Sequence, residues 1–166
     1  MEYTFAMIKP DAVLAKNSGK IIDLIEKHGF DILRMHKIHM TEEAAREFYS
    51  AHKAKPFFGE LVEFICSAPV IILALAKENA IADWRKLMGA TDSKKAEAGT
   101  IRALFGTDVG RNAVHGSDSL EAAENELSMF FLDEEDLDET AEDDEDEEIE
   151  FCDDENCSDD EGCCGN

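Results

Sequence analysis

The chain has 166 residues and a formal net charge of −23, and most of that charge lies at one end. Residues 1–132 carry all 16 basic residues and 19 of the 39 acidic ones, whereas residues 133–166 carry the other 20 acidic residues and no base. This length and balance predict one nearly neutral folded domain over residues 1–132. A block of one charge sign cannot bury enough apolar surface to fold, so we expect residues 133–166 to form a disordered tail.

The sequence shows no targeting signal and no membrane span. Lys9 and Asp11 interrupt the early apolar stretch from Tyr3 to Ile8, and the apolar run over residues 68–76 is about half of the roughly 20 residues that a span requires. Cys66 is the only cysteine in residues 1–132, which is typical of a reducing compartment. We therefore expect a cytoplasmic protein without a membrane partner.

Apolar periodicity and punctuation by Gly and Pro predict alternating strands and helices. In chain order the predictions are a strand over 3–8, a helix over 21–28 that ends at Gly29, a strand over 32–40, a short helix over 44–49 and another that begins just after Pro56, a buried strand over 70–75, a helix over 81–88, a long loop with local helix over 91–110, a short strand over 112–115, and a last helix capped by Asp118 or Ser119 whose apolar face is Leu120, Ala123, Leu127, Phe130 and Phe131.

This order favours an α/β sandwich in which helices cover a sheet of about four strands, rather than a doubly wound nucleotide fold. The usual phosphate-binding loops are missing. The segment Ser18-Gly19-Lys20-Ile21 lacks the upstream Gly and the following Ser or Thr of a P-loop, and no GxGxxG follows a strand. Any nucleotide must therefore be held by side chains.

His115, followed by Gly, Ser and Asp, is the residue that most narrows the chemistry. Neutral imidazole is abundant near pH 7 and attacks an electrophile without a separate base. Cations that suit phosphate oxygens are available in the same chain, together with neutral hydrogen-bonding groups and apolar side chains that could sandwich a planar base. They are Lys9, Arg85, Arg102, Thr91, Asn112, Phe57 and Val109. Taken singly, such a Lys or Arg is usually a surface charge and such a Phe usually belongs to a core.

Five separated segments together carry a family resemblance. They are Ile8-Lys9-Pro10-Asp11-Ala12, Arg46-Glu47-Phe48-Tyr49, Lys55-Pro56-Phe57-Phe58, Gly99-Thr100-Ile101-Arg102 and Gly110-Arg111-Asn112-Ala113-Val114-His115-Gly116-Ser117-Asp118-Ser119. In this order they resemble the nucleoside diphosphate kinase family over about residues 3–131. Lys55 stands where many relatives have Arg, which preserves the charge.

The resemblance implies a ferredoxin-like βαββαβ core with a four-stranded antiparallel sheet and added helices. It implies a Mg²⁺-assisted transfer of the γ-phosphate of ATP to nucleoside diphosphates, in ping-pong fashion, through a phosphohistidine at His115. Glu126 matches a glutamate that holds the other imidazole nitrogen, Tyr49 a position beside the histidine, and Leu61 one at the pocket entrance. The nucleotide-contacting positions that it implies are Lys9, Phe57, Arg85, Thr91, Arg102 and Asn112. It also implies a homotetramer or a homohexamer, and we favour the hexamer.

Several alternatives stay open at this stage. Ser117 and Asp118 either support the histidine or simply cap the last helix. The chain is either an enzyme or a nucleotide-binding or interaction module whose acidic tail binds basic partners, and no specific nucleic-acid partner is expected. The tail itself is either a solubilising appendage or a weak metal site, since the spacing of its thiols matches no standard zinc pattern. Those thiols are Cys152, Cys157, Cys163 and Cys164.

Overall fold

Four antiparallel strands form the centre of the computed structural model, which describes residues 1–131. The strands are β1 (Glu2–Ile8), β2 (Asp31–Ile38), β3 (Val70–Lys77) and β4 (Val114–Gly116), and their order in the sheet is β2-β3-β1-β4. This order with helical crossovers confirms the ferredoxin-like α+β fold. The expected tail over residues 133–166, with its four thiols, lies outside the described residues.

Seven α-helices connect and cover the strands within residues 1–131. They are α1 (Pro10–Leu14), α2 (Ser18–Lys27), α3 (Glu42–Phe48), α4 (Phe58–Cys66), α5 (Ala80–Met88), α6 (Ile101–Phe105) and α7 (Leu120–Phe130), with 3₁₀ turns at Ser50–His52 and Ser93–Lys95. None of these helices is long and apolar enough to cross a membrane.

The alternation of side chains along β1 divides the core into two layers. Phe5 and Met7 join the cluster beneath α3, α4 and α7, whereas Ala6 and Ile8 join the cluster beneath α2 and α5. Successive residues of a strand point to opposite faces, so a central strand covered on both faces must be apolar throughout. β3 meets the same demand, since every residue from Val70 to Ala76 is buried.

The structure corrects several sequence-based expectations. Strand β2 ends at Ile38 rather than at Met40, and β4 covers Val114–Gly116 rather than 112–115. A helix that the sequence did not predict, α1, starts at Pro10, because proline ends a strand but is suited to the first turn of a helix. Leu120 does not belong to the apolar face of α7, since it is 58% exposed on the described chain.

The other features of α7 are as expected. Ser119 caps the helix by accepting a hydrogen bond from the Ala122 amide at 3.1 Å. Phe130 stacks on Phe5 of β1 with ring centroids 5.3 Å apart, and Phe131, one residue past the helix, packs against the same cluster. The helix is thereby held next to the strand pair β1–β4.

Candidate active site

His115 lies on β4, where it pairs in register with Met7 of the central strand β1. Its Nε2 is 2.9 Å from Glu126 Oε1. An ionised carboxylate only accepts hydrogen bonds, so Nε2 carries the proton and Nδ1 keeps its lone pair. Within residues 1–131, Nδ1 makes no hydrogen bond of its own. The arrangement leaves a neutral imidazole with one free basic nitrogen.

Glu126 is itself held by the residue two positions after the histidine. The Ser117 hydroxyl donates to Glu126 Oε2 at 2.6 Å, and it accepts a hydrogen bond from the Phe5 amide at 3.3 Å. Ser117 therefore supports the histidine through Glu126, while Ser119 performs the capping. A chain of three side chains fixes the imidazole to the sheet.

Aromatic rings surround the imidazole on the α3 side. The ring centroid of Phe48 is 4.9 Å from that of His115, and the centroid of Tyr49 is 5.9 Å away. Burial lowers the pKa of His115 below its ordinary value, and the nearby Glu126 opposes this shift. Burial also raises the pKa of Tyr49, whose hydroxyl has no hydrogen-bond partner within residues 1–131. The phenol is therefore neutral and has a hydrogen to donate.

A cavity of about 950 Å³ opens in front of His115. Eight of the nine residues to which the sequence assigned a catalytic or nucleotide-binding role line this cavity, as do Leu61, Val109 and Asp118. The eight are Lys9, Tyr49, Phe57, Arg85, Thr91, Arg102, Asn112 and His115. The ninth, Glu126, lies behind the imidazole. The fold thus gathers the predicted side chains around one space of the size that small-molecule sites occupy.

Lys9 enters the cavity from the end of β1 and is almost fully buried. Its Nζ donates to Asn112 Oδ1 at 2.8 Å, and Asn112 Nδ2 donates to the Thr91 carbonyl oxygen at 3.1 Å. Burial and repulsion from Arg102 lower the pKa of Lys9 to about 8. Asn112 therefore orients the ammonium group in addition to any contact with a ligand.

Arg102 supplies a second cation from α6. Its guanidinium donates to the carbonyl oxygens of Gly89 at 2.9 Å and Val114 at 3.1 Å, and its buried Nε has no partner within residues 1–131. Burial and the nearby Arg85 lower the pKa of Arg102 to about 10, which leaves it charged at neutral pH. Positive groups that repel each other in a buried site are characteristic of a site for an anion.

The exposed part of the cavity lining, at its mouth, includes two large apolar side chains. Phe57 and Val109 line it and are 49% and 57% exposed. The loop of Val109 is fixed by Asp108, whose Oδ1 accepts hydrogen bonds from the amides of Gly110 and Arg111, both at 2.8 Å. Exposed apolar side chains at the entrance of a charged cavity suit a ligand that is ionic at one end and planar at the other.

Sequence reasoning missed several side chains at the site. Phe48 contacts the imidazole, His52 stacks on Tyr49 at 6.3 Å, and Arg111 and Glu60 line the cavity. Asp11, which occurred only as part of a motif, accepts a hydrogen bond from the Ala113 amide. Phe48 follows Ala44 at the four-residue spacing of a helix face that packs in a core, so its position in the sequence did not distinguish a site residue from a packing residue.

The described residues include no group of three or more His, Cys, Asp or Glu side chains placed to hold a metal ion. Lys9, Arg85 and Arg102 line the cavity instead. Charged Lys and Arg side chains have no lone pair for a metal ion, so this lining fits a metal that is held by phosphate oxygens of a ligand and does not fit an all-protein metal cage.

An imidazole with a free nitrogen, buried cations and exposed apolar side chains around one cavity are the groups that suit a phosphotransferase, the class in which positioning and charge neutralisation do most of the catalysis. The family model for nucleoside diphosphate kinase matches residues 2–136. The chain therefore belongs to the nucleoside diphosphate kinase family.

Curated relatives and solved structures agree with this assignment. The chain is 56% identical over 131 residues to the nucleoside diphosphate kinase of Geotalea uraniireducens, which covers 79% of this chain and 96% of that relative. The structure of the Aquifex aeolicus nucleoside diphosphate kinase matches with a TM-score of 0.77 at 44% identity, covering 78% of this chain and 94% of that one. The halophilic nucleoside diphosphate kinase of Halobacterium salinarum, solved in complex with CDP, matches with a TM-score of 0.77 at 42% identity, covering 80% and 88%.

Proposed function

We propose that His115 carries a phosphoryl group from ATP to nucleoside diphosphates. Nδ1 attacks the γ-phosphorus, the bond to the β,γ-bridging oxygen breaks, and ADP leaves. A terminal β-phosphate oxygen of the second nucleotide then attacks phosphorus, the P–Nδ1 bond breaks, and the triphosphate leaves. The observation that carries this assignment is the hydrogen bond from Nε2 to Glu126, because it leaves Nδ1 as the basic nitrogen.

Lys9, Arg102 and Arg85 neutralise the phosphate oxygens in this proposal. Phosphoryl transfer spreads charge over the equatorial oxygens of the transferred group, so fixed cations stabilise the transition state. Lys9 and Arg102 are buried and held by neighbouring oxygen acceptors, whereas Arg85 is exposed on α5 and adjusts to the ligand. The Tyr49 hydroxyl, which has no partner among residues 1–131 and belongs to a residue of the cavity wall, donates to the phosphoryl group or to an adjacent oxygen.

The base and sugar occupy the mouth. Phe57 and Val109 sandwich the base, Leu61 shapes the entrance, and Thr91 and Asn112 add neutral hydrogen bonds. A stacked base is gripped by its faces, and every base has such a face. We therefore infer broad acceptance of purine and pyrimidine nucleotides.

Kinases of this family use a divalent metal, and we propose Mg²⁺ held by the nucleotide phosphates. Bound there, Mg²⁺ neutralises charge on the phosphate oxygens and orients them. Removal of Mg²⁺ with a chelator should stop labelling of the protein by ATP, and Mg²⁺ in excess should restore it. Labelling that persists in the chelator would contradict this part of the proposal.

The decisive experiment is incubation of the full chain with γ-labelled ATP. We expect acid-labile label on the wild-type protein, its release on addition of a nucleoside diphosphate, and no label on His115→Asn. His36→Asn is the matched control, because His36 lies on the edge strand β2 and not in the cavity. The rival function, a nucleotide-binding or interaction module, predicts no label on intact protein.

We propose that the protein assembles as a homo-oligomer, as a hexamer rather than a tetramer. Strand β2 is at the edge of the sheet, and Leu14, Met35 and Leu104 are exposed on the described chain, which favours contact with further copies. Sedimentation of the full chain over a series of salt concentrations would give the subunit number.

We also propose that the protein is cytoplasmic.

We propose that residues 1–132 are the catalytic domain and that residues 133–166 are a solubilising appendage. The family match that ends at residue 136 supports the boundary between the two. A chain ended after residue 136 should keep the turnover number of the full chain but lose solubility at low salt, whereas a loss of turnover would show a catalytic role of the tail.

A further inference from the structure

Ala113 has an unusual backbone conformation directly between two residues of the site. Its φ is +68°, in the left-handed region that a residue with a Cβ atom rarely adopts, and its side chain is completely buried. The preceding residue is Asn112, which orients Lys9, and His115 follows two positions later. A strained residue at this place persists only if its surroundings hold it there.

The segment Lys9–Asp11 holds both polar backbone groups of Ala113. Asp11 Oδ2 accepts a hydrogen bond from the Ala113 amide at 3.0 Å, and the Lys9 amide donates to the Ala113 carbonyl oxygen at 2.8 Å. The other oxygen of Asp11, Oδ1, is buried and has no partner within residues 1–131. Asp11 does not line the cavity, so its carboxylate is placed to hold the backbone of Ala113 and not to contact a nucleotide.

The conformation of Ala113 decides how Asn112 and His115 face each other. Rotation of Ala113 to a negative φ would redirect the chain between them, which would move the Asn112 side chain away from the Lys9 ammonium or β4 away from its register with β1. The proposed transfer requires Lys9 to contact the same phosphoryl group that His115 attacks. Misplacement by about 1 Å is enough to slow such reactions on the order of a hundredfold.

We propose that Asp11 is a positioning residue for phosphoryl transfer, because its carboxylate holds Ala113 in the left-handed conformation that aligns Lys9, Asn112 and His115. The proposal rests on the role of His115 proposed above. The backbone amide of Lys9 also holds Ala113, while its side chain lies in the cavity. The short segment Lys9–Asp11 therefore supplies a cation to the site and fixes the orientation of strand β4.

The test measures the rate at which ATP phosphorylates His115 in Asp11→Ala, Asp11→Asn, Ala113→Gly and the double variant Asp11→Ala with Ala113→Gly. We expect Asp11→Ala to slow phosphorylation on the order of tenfold to a hundredfold. Asn keeps an oxygen that accepts the Ala113 amide, so Asp11→Asn should retain most of the rate. Glycine adopts positive φ at little cost, so Ala113→Gly should recover part of the rate lost in Asp11→Ala.

The recovery by glycine separates positioning from stability. Removing the buried methyl group of Ala113 costs packing, so a merely structural role predicts that the double variant is worse than Asp11→Ala. The matched control is Glu2→Ala, since Glu2 Oε2 makes a comparable hydrogen bond to the Ile81 amide at 3.0 Å; it should lower the melting temperature without slowing phosphorylation.

Two outcomes would overturn the inference, and both differ from failure of the underlying function. An unchanged rate in Asp11→Ala, or a double variant that is no faster than Asp11→Ala, would refute the positioning role while leaving His115 as the phosphoryl carrier. Absence of label on the wild-type protein would instead refute the proposed role of His115 itself.

Discussion

Glu126 uses its two carboxylate oxygens for two different partners, Nε2 of His115 at 2.9 Å and the hydroxyl of Ser117 at 2.6 Å. One side chain of α7 therefore sets both the tautomer and the direction of an imidazole on β4. The bond to Ser117 restrains the carboxylate, so the imidazole is oriented before a nucleotide arrives.

Replacing Glu126 by Gln should slow phosphorylation of His115 on the order of tenfold to a hundredfold and should leave nucleotide KM nearly unchanged, because Glu126 is not on the cavity wall. The carboxylate raises the pKa of His115 against the effect of burial, so its loss should lower that pKa further. The acid limb of the profile of kcat/KM against pH should therefore move to lower pH. Glu124→Gln, on the exposed side of the same helix, is the control; an acid limb that stays in place would contradict the assignment.

Nucleotide binding should weaken as the pH rises through about 8. The pKa of Lys9 is lowered to about 8, so its ammonium group is charged below that pH and neutral above it, and only the charged form attracts phosphate. The basic limb of kcat/KM should therefore lie near pH 8 in the free enzyme. Lys9→Arg keeps its charge to higher pH, so whatever activity it retains should lack that limb. A limb in the same place in Lys9→Arg would assign the titration to another group.

Truncation of Phe57 should raise the KM for every nucleotide by a similar factor, roughly tenfold, because stacking on an aromatic ring contributes to binding whatever the base. The turnover number should change little. Tyr3→Ala is the control, since Tyr3 is also an exposed aromatic residue (41% against 49%) but does not line the cavity. A panel of purine and pyrimidine diphosphates tests both points. Acceptance of a single base would exclude the stacking arrangement.

Gly116→Ala should destabilise the fold and the site together. A Cβ at this position would collide with Nε1 and Cδ1 of Trp84 and would lie 3.0 Å from Met88 Cε. We expect a loss of about 1–3 kcal/mol in the free energy of unfolding, typical of overpacking. Trp84 is the single tryptophan, and its Nε1 donates to the His115 carbonyl oxygen, so its fluorescence reports the disturbance.

Gly59→Ala is the matched control for that substitution. A Cβ at Gly59 would have no neighbour within 4 Å in the described part of the chain, and alanine is the better helix former in α4. Gly59→Ala should leave stability unchanged or raise it slightly. Equal melting temperatures of the two variants would contradict the close packing of β4 against α5.

Local patterns in the sequence were sufficient for most of the fold. The buried strand β3 is an unbroken apolar run, the helices α2 and α5 carry apolar residues at helical spacing, and Ser119 is a strong N-cap. These signals depend on neighbours along the chain, so they can be read without coordinates. Two predictions from local patterns were wrong. The exposure of Leu120 and the start of helix α1 at Pro10 depend on how distant parts of the chain pack around them, which the local sequence does not show.

The residue types and the order of the motifs were likewise sufficient to predict the chemistry of the site. His115, Lys9, Arg102 and Asn112 occur in segments that the family shares, and all four line one cavity in the structure. Only the tertiary structure decided how each side chain is held. The amide of Asn112 accepts a hydrogen bond from Lys9 and donates one to the Thr91 carbonyl oxygen, and Ser117 donates to Glu126. Asp11 accepts a hydrogen bond from the amide of Ala113, which lies 102 positions later in the chain. Side-chain type is a local property, but orientation, desolvation and the resulting pKa values come from groups that are distant in sequence and adjacent in space.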